Sequence, residues 1–308
     1  MKYAIVFPGQ GSQSLGMMSD LADNFSLVGD VFTKASDALG IDLWRLIQEN
    51  QDALNQTQNT QPAMLAAGYA TYQVLASEAD LSPLCMAGHS LGEYTALVAT
   101  GSLDFAEGIK LVRKRAELMQ SAVPAGTGAM AAILGLDDDK VVEICANANG
   151  GVVEAVNFNS PGQVVIAGDK DSVEATCAVM KEAGAKRAVI LPVSVPSHCS
   201  LMNGAAERFS MSLDATNFNQ VGNVLHNVDA CVAASADEIR SKLVAQLHKP
   251  VLWTSTVQAM SAMGVEKLIE TGPGKVLAGL TKRIDKSLTG SAVFDTAGIE
   301  AIVEEISS

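Results

Sequence analysis

The chain has 308 residues, of which 48% are hydrophobic, 18% charged and 5% aromatic, and its formal net charge is -13. This composition is typical of a globular protein with one or two domains, and it excludes a mainly disordered or low-complexity chain. The negative charge argues against nonspecific binding to nucleic acid or anionic lipid, because such partners require a basic surface.

The sequence contains no segment of transmembrane length, and the apolar run after Met1 is too short before Pro8 for a secretory signal. The five cysteines are scattered without CxxC spacing, which is typical of reduced thiols. We therefore expect a cytoplasmic protein. The histidines lack metal-ligand spacing, and the glycine loop "FPGQGSQ" lacks the features of a nucleotide-binding loop, so we expect no metal and no cofactor.

The first part of the chain predicts strands and helices in alternation. A strand at residues 3–7 breaks into the loop "FPGQGSQ". Helices are predicted at 27–39, 42–48 and 61–79, the last with Pro62 in its first turn. A second strand is predicted from residue 84, and further helices at 93–100 and from 104 to about 123.

The pattern changes after residue 126. Residues 126–196 read as β-α-β-β-α-β, the ferredoxin-like order. We predict that they form a compact subdomain, inserted into a large domain made of residues 1–125 and 197–308. The large domain is predicted to be α/β, with a mainly parallel sheet.

Ser90 lies at the seam between the second strand and the helix after it, within Gly88-His89-Ser90-Leu91-Gly92. This G-x-S-x-G pattern is typical of a nucleophile elbow, a tight turn that lifts the serine off the strand end. Glycine is needed on both sides because a Cβ there would collide with a neighbouring strand or helix. The helix N-terminus favours a nearby oxyanion. The alternative is an ordinary glycine-rich turn between a strand and a helix.

A serine nucleophile needs a base, and His198 is the preferred candidate. It lies in the Pro/Ser loop "VPSHCSLM", at the junction of the predicted subdomain and the large domain, and ligands commonly bind at such junctions. His89 adjoins Ser90 and is expected to support the turn. The alternative for His198 is a capping or core role. Spacing fixes no carboxylate as a third member, but a backbone carbonyl can also orient an imidazole.

Arg115 is the most informative charged residue. On a helical wheel it falls inside the apolar arc of its helix, whereas Arg113 and Lys114 fall outside it. A buried guanidinium requires an anionic or strongly polar partner. That partner is either an internal one, as in a salt bridge or a snorkelling side chain, or a carboxylate on a substrate.

Several segments in the same order resemble the malonyl-CoA:acyl carrier protein transacylases of bacterial fatty-acid synthesis, and together they cover nearly the whole chain. The segments are "FPGQGSQ", "TQPAM", "AGHSLGEYTALV", "RAELMQ", "VNFNSPGQVVIAG", "PVSVPSHCSLM" and "ETGPGKVL". The resemblance implies an α/β-hydrolase-like core with a ferredoxin-like insertion. It also implies that a malonyl group passes from malonyl-CoA to a serine, and then to the phosphopantetheine thiol of acyl carrier protein, in a ping-pong cycle that releases coenzyme A.

The resemblance assigns a role to each candidate residue. Ser90 is the nucleophile, His198 the base, Gln246 the residue whose main-chain carbonyl orients the base, Gln10 and Leu91 the donors of the oxyanion-hole amides, and Arg115 the ligand of the malonyl carboxylate. Two alternatives remain open. One is a serine thioesterase or esterase, which gives no reason for an arginine in the apolar arc; the other is an acyl-carrier-binding scaffold.

Acyl carrier proteins of this pathway are acidic, and this chain is acidic too, so docking requires a local basic rim. Candidates for that rim are Lys181, Lys186, Arg187, Lys282, Arg283 and Lys286. The alternative for each of them is a solvated surface charge.

Overall fold

Two β-sheets of different character organise the chain in the computed structural model, which describes residues 1–193 and 195–307. Residues 194 and 308 fall within the predicted domain ranges but lie outside the described residues. The strands are β1 (Tyr3–Phe7), β2 (Cys85–Gly88), β3 (Gly128–Leu134), β4 (Val153–Ser160), β5 (Gln163–Asp169), β6 (Arg187–Ile190), β7 (Val224–Leu225), β8 (Lys267–Thr271) and β9 (Thr289–Val293).

Helices surround both sheets. They are α1 (Ser19–Asn24), α2 (Ser26–Leu39), α3 (Leu43–Glu49), α4 (Gln51–Leu54), α5 (Thr57–Glu78), α6 (Gly92–Ala99), α7 (Phe105–Gln120), α8 (Asp138–Ala146), α9 (Lys170–Glu182), α10 (Asn203–Asp214), α11 (Ala236–His248), α12 (Trp253–Ala262), α13 (Val276–Ile284) and α14 (Thr296–Ser307). In the described part of the chain, none of them has both the length and the apolar character to cross a membrane.

The first sheet has five strands in the order β7-β2-β1-β8-β9, and every neighbouring pair is parallel. Its central strand β1 is buried along its whole length. Ile5 and Phe7 face one hydrophobic cluster, and Ala4 and Val6 face another. Burial on both faces explains why β1 is a continuous apolar run without alternation. The prediction of an α/β fold with a mainly parallel sheet is confirmed.

The second sheet has four strands in the order β4-β5-β3-β6, and its pairs are antiparallel. One face packs against α8 and α9 through residues such as Val141 and Val173. Met130 and Val165 belong to the cluster on the other face, which also contains Cys199. The segment that returns from this sheet to the first one is therefore fixed against it immediately after His198.

The prediction that Pro62 lies in the first turn of its helix is wrong. Helix α5 begins at Thr57, so Pro62 lies inside it and cannot donate a hydrogen bond to the Gln58 carbonyl. That carbonyl instead accepts a hydrogen bond from Arg113 Nη1 at 3.2 Å. A long-range contact therefore compensates for the missing donor, and local sequence does not reveal it. Local patterns also missed α1 and α4, which are only 6 and 4 residues long.

Candidate active site

Ser90 lies on a sharp turn between β2, which ends at Gly88, and α6, which begins at Gly92. Its φ of 51° places a non-glycine residue in the left-handed region. A Cβ added at Gly88 would overlap the Gly92 backbone, and one added at Gly92 would overlap the Phe7 carbonyl. The steric reason predicted for the two glycines is therefore confirmed. Backbone strain of this kind costs about 1–3 kcal/mol and clusters at functional sites.

Ser90 and His198 are brought together across 108 positions of sequence. Ser90 Oγ lies 2.8 Å from His198 Nε2, and His198 Nδ1 lies 2.6 Å from the Gln246 carbonyl oxygen. Because a carbonyl only accepts hydrogen bonds, Nδ1 carries the proton and Nε2 accepts one from the serine hydroxyl. This is the tautomer that a general base requires. His198 is buried, and its own φ is 67°.

The surroundings of His198 keep its imidazole neutral. Burial lowers the pKa of His198 to about 3, and the positive charge of Arg115 and the neighbouring His89 act in the same direction. The hydrogen bond to the Gln246 carbonyl opposes this shift in pKa without reversing it. At neutral pH His198 is therefore free to accept a proton.

Arg115 lies in α7 and is 1% exposed, which confirms the prediction that it is buried. Its Nη1 donates to Gln61 Oε1 at 2.8 Å, and its Nη2 donates to Gln246 Oε1 at 3.0 Å and to Ser90 Oγ at 3.2 Å. Its guanidinium carbon lies 5.4 Å from the centre of the Tyr94 ring. Burial lowers the pKa of Arg115.

The polar partners of the Arg115 guanidinium are neutral. Its Nε is buried and has no hydrogen-bond partner, and no carboxylate of residues 1–193 or 195–307 forms a salt bridge with it. A buried cation that contacts no carboxylate directly is costly unless an anion binds there. The site can therefore accommodate an anionic group within a few ångströms of Ser90.

Two backbone amides near Ser90 are available to a ligand. Gln10 follows β1, and Leu91 precedes the first residue of α6. Neither amide N–H donates a hydrogen bond to any described part of the protein. The Ser90 amide is different, because it donates to Asn227 Oδ1 at 2.7 Å. Gln10 and Leu91 are thus left as the candidate oxyanion donors.

These groups surround a pocket of about 130 Å³ between the two sheets. Apolar side chains of the second sheet and of the segment after it close one side, and the serine turn and α5 form the other. The lining residues are Gln10, Thr57, Gln61, His89, Ser90, Leu91, Arg115, Met119, Met130, Asn157, Leu191, Val193, Val195, Ser197 and His198. The residues that the structure describes include no group of three or more His, Cys, Asp or Glu side chains that could hold a metal ion.

The other three histidines do not contact the serine hydroxyl. His89 Nε2 lies 2.8 Å from Asn159 Oδ1, which ties the turn to β4. His226 Nδ1 lies 2.6 Å from Glu93 Oε1, and His248 is the last residue of α11. The sequence patterns do not indicate a role for Gln61, Glu93 or Asn227. One signal could have indicated Glu93, because it is the only charged residue in α6.

The chain resembles known acyl transferases over nearly its full length. The sequence profile of the family described as "Acyl transferase domain" matches residues 4–297. The malonyl CoA-acyl carrier protein transacylase of Haemophilus influenzae is 54% identical over 307 residues, which cover 98% of each chain. The 1.7 Å crystal structure of an acyl carrier protein S-malonyltransferase from Vibrio cholerae matches with a TM-score of 0.95 and 55% identity, over 98% of this chain and 100% of that one.

A solved complex is also similar. It is described as a type II PKS acyl-carrier protein in complex with its malonyl-transacylase. It matches with a TM-score of 0.97 and 50% identity, over 99% of this chain and 100% of that one.

Proposed function

The chain belongs to the acyl transferase family, and on that premise we propose that it transfers the malonyl group of malonyl-CoA to the phosphopantetheine thiol of acyl carrier protein. The observation that carries the choice of acyl group is Arg115, a buried cation with neutral partners 3.2 Å from the serine oxygen. In a malonyl thioester, one methylene separates the free carboxylate from the reacting carbonyl. The carboxylate can therefore reach Arg115 while the thioester carbon lies at Ser90.

The first half-reaction loads the serine. His198 Nε2 takes the proton of the Ser90 hydroxyl as Oγ forms a bond to the thioester carbon. The amides of Gln10 and Leu91 stabilise the tetrahedral oxyanion. The bond from carbon to sulfur then breaks, and His198 returns the proton to the departing coenzyme A sulfur. A malonyl ester on Ser90 remains.

The second half-reaction reverses the roles. His198 takes the proton of the carrier protein's thiol, and its sulfur attacks the ester carbon. The bond from carbon to Oγ breaks, and His198 returns the proton to Ser90. Because the acyl group is fixed at Arg115, the incoming thiol meets an oriented carbonyl.

We further propose the finer fold assignment. The parallel first sheet with its serine turn supports an α/β-hydrolase-like large domain of residues 1–125 and 197–308. The sheet order β4-β5-β3-β6 and the two helices on one face support a ferredoxin-like subdomain at residues 126–196. In this division the pocket lies between the two domains, and His198 immediately follows the subdomain.

A basic rim for the acidic carrier protein remains part of the proposal. All six candidates are exposed: Lys181, Lys186, Arg187, Lys282, Arg283 and Lys286. Arg283 Nη1 also donates to Gln163 Oε1 at 2.8 Å, which places this part of α13 beside β5. Such a rim would raise the association rate more than the strength of the final complex.

An acid-trapping experiment tests the function directly. The protein is mixed with malonyl-CoA labelled in the malonyl group, denatured in acid and separated from small molecules. We expect about one label per chain on a serine, and its loss when phosphopantetheinylated acyl carrier protein is added before the acid. Release of free malonate without transfer would favour a thioesterase, and a protein that neither binds label nor releases malonate would favour a scaffold.

The low pKa of His198 predicts that activity persists in acid. With a pKa of about 3 the base stays neutral down to about pH 5, so kcat/KM for malonyl transfer is expected to change little between about pH 7 and pH 5. With an ordinary histidine pKa, the neutral fraction of the base, and with it kcat/KM, would fall roughly 25-fold over that range. A bound malonyl carboxylate compensates the Arg115 charge and raises the pKa of His198, so the acid limb of kcat lies at higher pH than that of kcat/KM. If kcat/KM instead fell to half its value near pH 6.5, the prediction of a low pKa for His198 would be wrong.

A further inference from the structure

The strained turn at Ser90 is held by side chains from distant parts of the chain. The Ser90 amide donates to Asn227 Oδ1 at 2.7 Å, and the Ser90 carbonyl accepts from Gln246 Nε2 at 2.9 Å. Asn227 Nδ2 also donates to the Gly88 carbonyl at 2.7 Å. Asn227, which follows β7, and Gln246, which lies in α11, therefore both hold the backbone of the nucleophile.

Gln246 contacts Ser90, His198 and Arg115. Its main-chain carbonyl orients His198, its Oε1 accepts from Arg115 Nη2 at 3.0 Å, and its Nε2 holds the Ser90 carbonyl. These contacts require one orientation of the side-chain amide. In the flipped orientation, the NH₂ group would face the guanidinium, and the oxygen would face the Ser90 carbonyl, so both contacts would become repulsive.

Glu93 stabilises the orientation of Gln246 that these contacts require. Its Oε2 lies 2.9 Å from Gln246 Nε2 and 2.9 Å from the Asn227 amide nitrogen, and its Oε1 lies 2.6 Å from His226 Nδ1. Glu93 is 0% exposed, so water does not compete for these donors. Because Glu93 Oε2 already accepts a hydrogen bond from the Asn227 amide N–H, the NH₂ group of Gln246 faces it as a second donor, and the Gln246 oxygen faces Arg115.

We propose that Glu93 is a positioning residue which, through Gln246 and Asn227, fixes Ser90 and Arg115 relative to each other. The proposal rests on the proposed malonyl transfer, since it gives Glu93 an effect on malonyl recognition. Glu93 contacts no substrate in this scheme. It acts through the amide that presents an acceptor to the guanidinium and a donor to the serine turn.

The test compares malonyl-CoA with acetyl-CoA as acyl donors, because only malonyl uses Arg115. The Glu93→Met variant removes the acceptors, and we expect kcat/KM for malonyl transfer to fall about 10–100-fold. The ratio of malonyl to acetyl kcat/KM should fall at least about fivefold. Glu93→Gln keeps an oxygen that can accept from Gln246 and Asn227, with its NH₂ group facing His226. It should therefore recover most of the ratio.

Two further variants separate positioning from folding. Glu270→Met removes another glutamate that is 0% exposed, but its Oε2 accepts from the Ala278 amide in α13, outside this network. It should leave the malonyl-to-acetyl ratio unchanged. If Glu93→Met does not fold, the malonyl-to-acetyl ratio is measured for Gln246→Met instead. This variant keeps the main-chain carbonyl on His198 and leaves Glu93 bound to Asn227 and His226.

The outcomes are distinct. A folded Glu93→Met or Gln246→Met protein with an unchanged ratio would overturn the proposal, and so would an equal fall of the ratio in Glu270→Met. Failure of the wild-type protein to take label from malonyl-CoA would instead overturn the proposed function.

Discussion

Replacing Ser90 by alanine is expected to abolish the acid-stable malonyl label and to lower kcat roughly 10⁴–10⁶-fold. The substitution removes the oxygen that lies 2.8 Å from the unprotonated nitrogen of His198, so no acyl-enzyme can form at this position. Its cost to folding should be small, because alanine keeps the Cβ and both backbone hydrogen bonds of the turn. The measurements are the labelled acyl-enzyme and steady-state transfer to acyl carrier protein.

Ser197→Ala is the matched control for this experiment. Ser197 lines the same pocket, but its Oγ contacts the Val195 carbonyl at 3.5 Å and is not hydrogen bonded to His198. Its variant should keep the label. Retention of label by Ser90→Ala, or its loss from Ser197→Ala alone, would show that the nucleophile has been assigned to the wrong serine.

Sequence patterns predicted the parts of the fold that depend on local information. The apolar run at β1, the β-α-β-β-α-β order after residue 126 and the glycine-flanked serine all lie where periodicity and turn chemistry placed them. The family resemblance is also confirmed by the comparisons. Arg115 was accessible to sequence reasoning because a helical wheel shows the side of a helix on which a charge lies.

Other features depend on tertiary contacts and could not be predicted from local sequence. The Gln58 carbonyl, which Pro62 leaves without a donor, is satisfied from α7, so nothing near Pro62 predicts that the helix continues through it. The left-handed backbone conformation of His198 could not be predicted, because glycine and asparagine are the residues that usually indicate it and this position is a histidine. The low pKa of His198 follows from burial and from Arg115, which is remote in sequence.

The roles of the site residues are proposals. For the partner of Arg115, however, the structure leaves fewer alternatives than the sequence did. An internal salt bridge was one explanation for Arg115, and the described chain provides no carboxylate partner for it. Gln61 and Gln246 instead hold the guanidinium with amide oxygens. Neutral acceptors fix its direction without neutralising its charge, and this arrangement keeps the cation available to a ligand.

Replacing Arg115 by alanine is therefore expected to cost malonyl transfer much more than acetyl transfer. Loss of a buried charged partner typically costs about 2–5 kcal/mol, or roughly 30–4,000-fold in kcat/KM for malonyl-CoA. Acetyl-CoA lacks the second carboxylate, so its kcat/KM should change less than about tenfold. Lys114→Ala removes the same charge from the exposed neighbouring position and should leave both values unchanged. If Arg115→Ala lowers malonyl and acetyl transfer equally, Arg115 stabilises the fold or Ser90 and does not recognise the malonyl carboxylate.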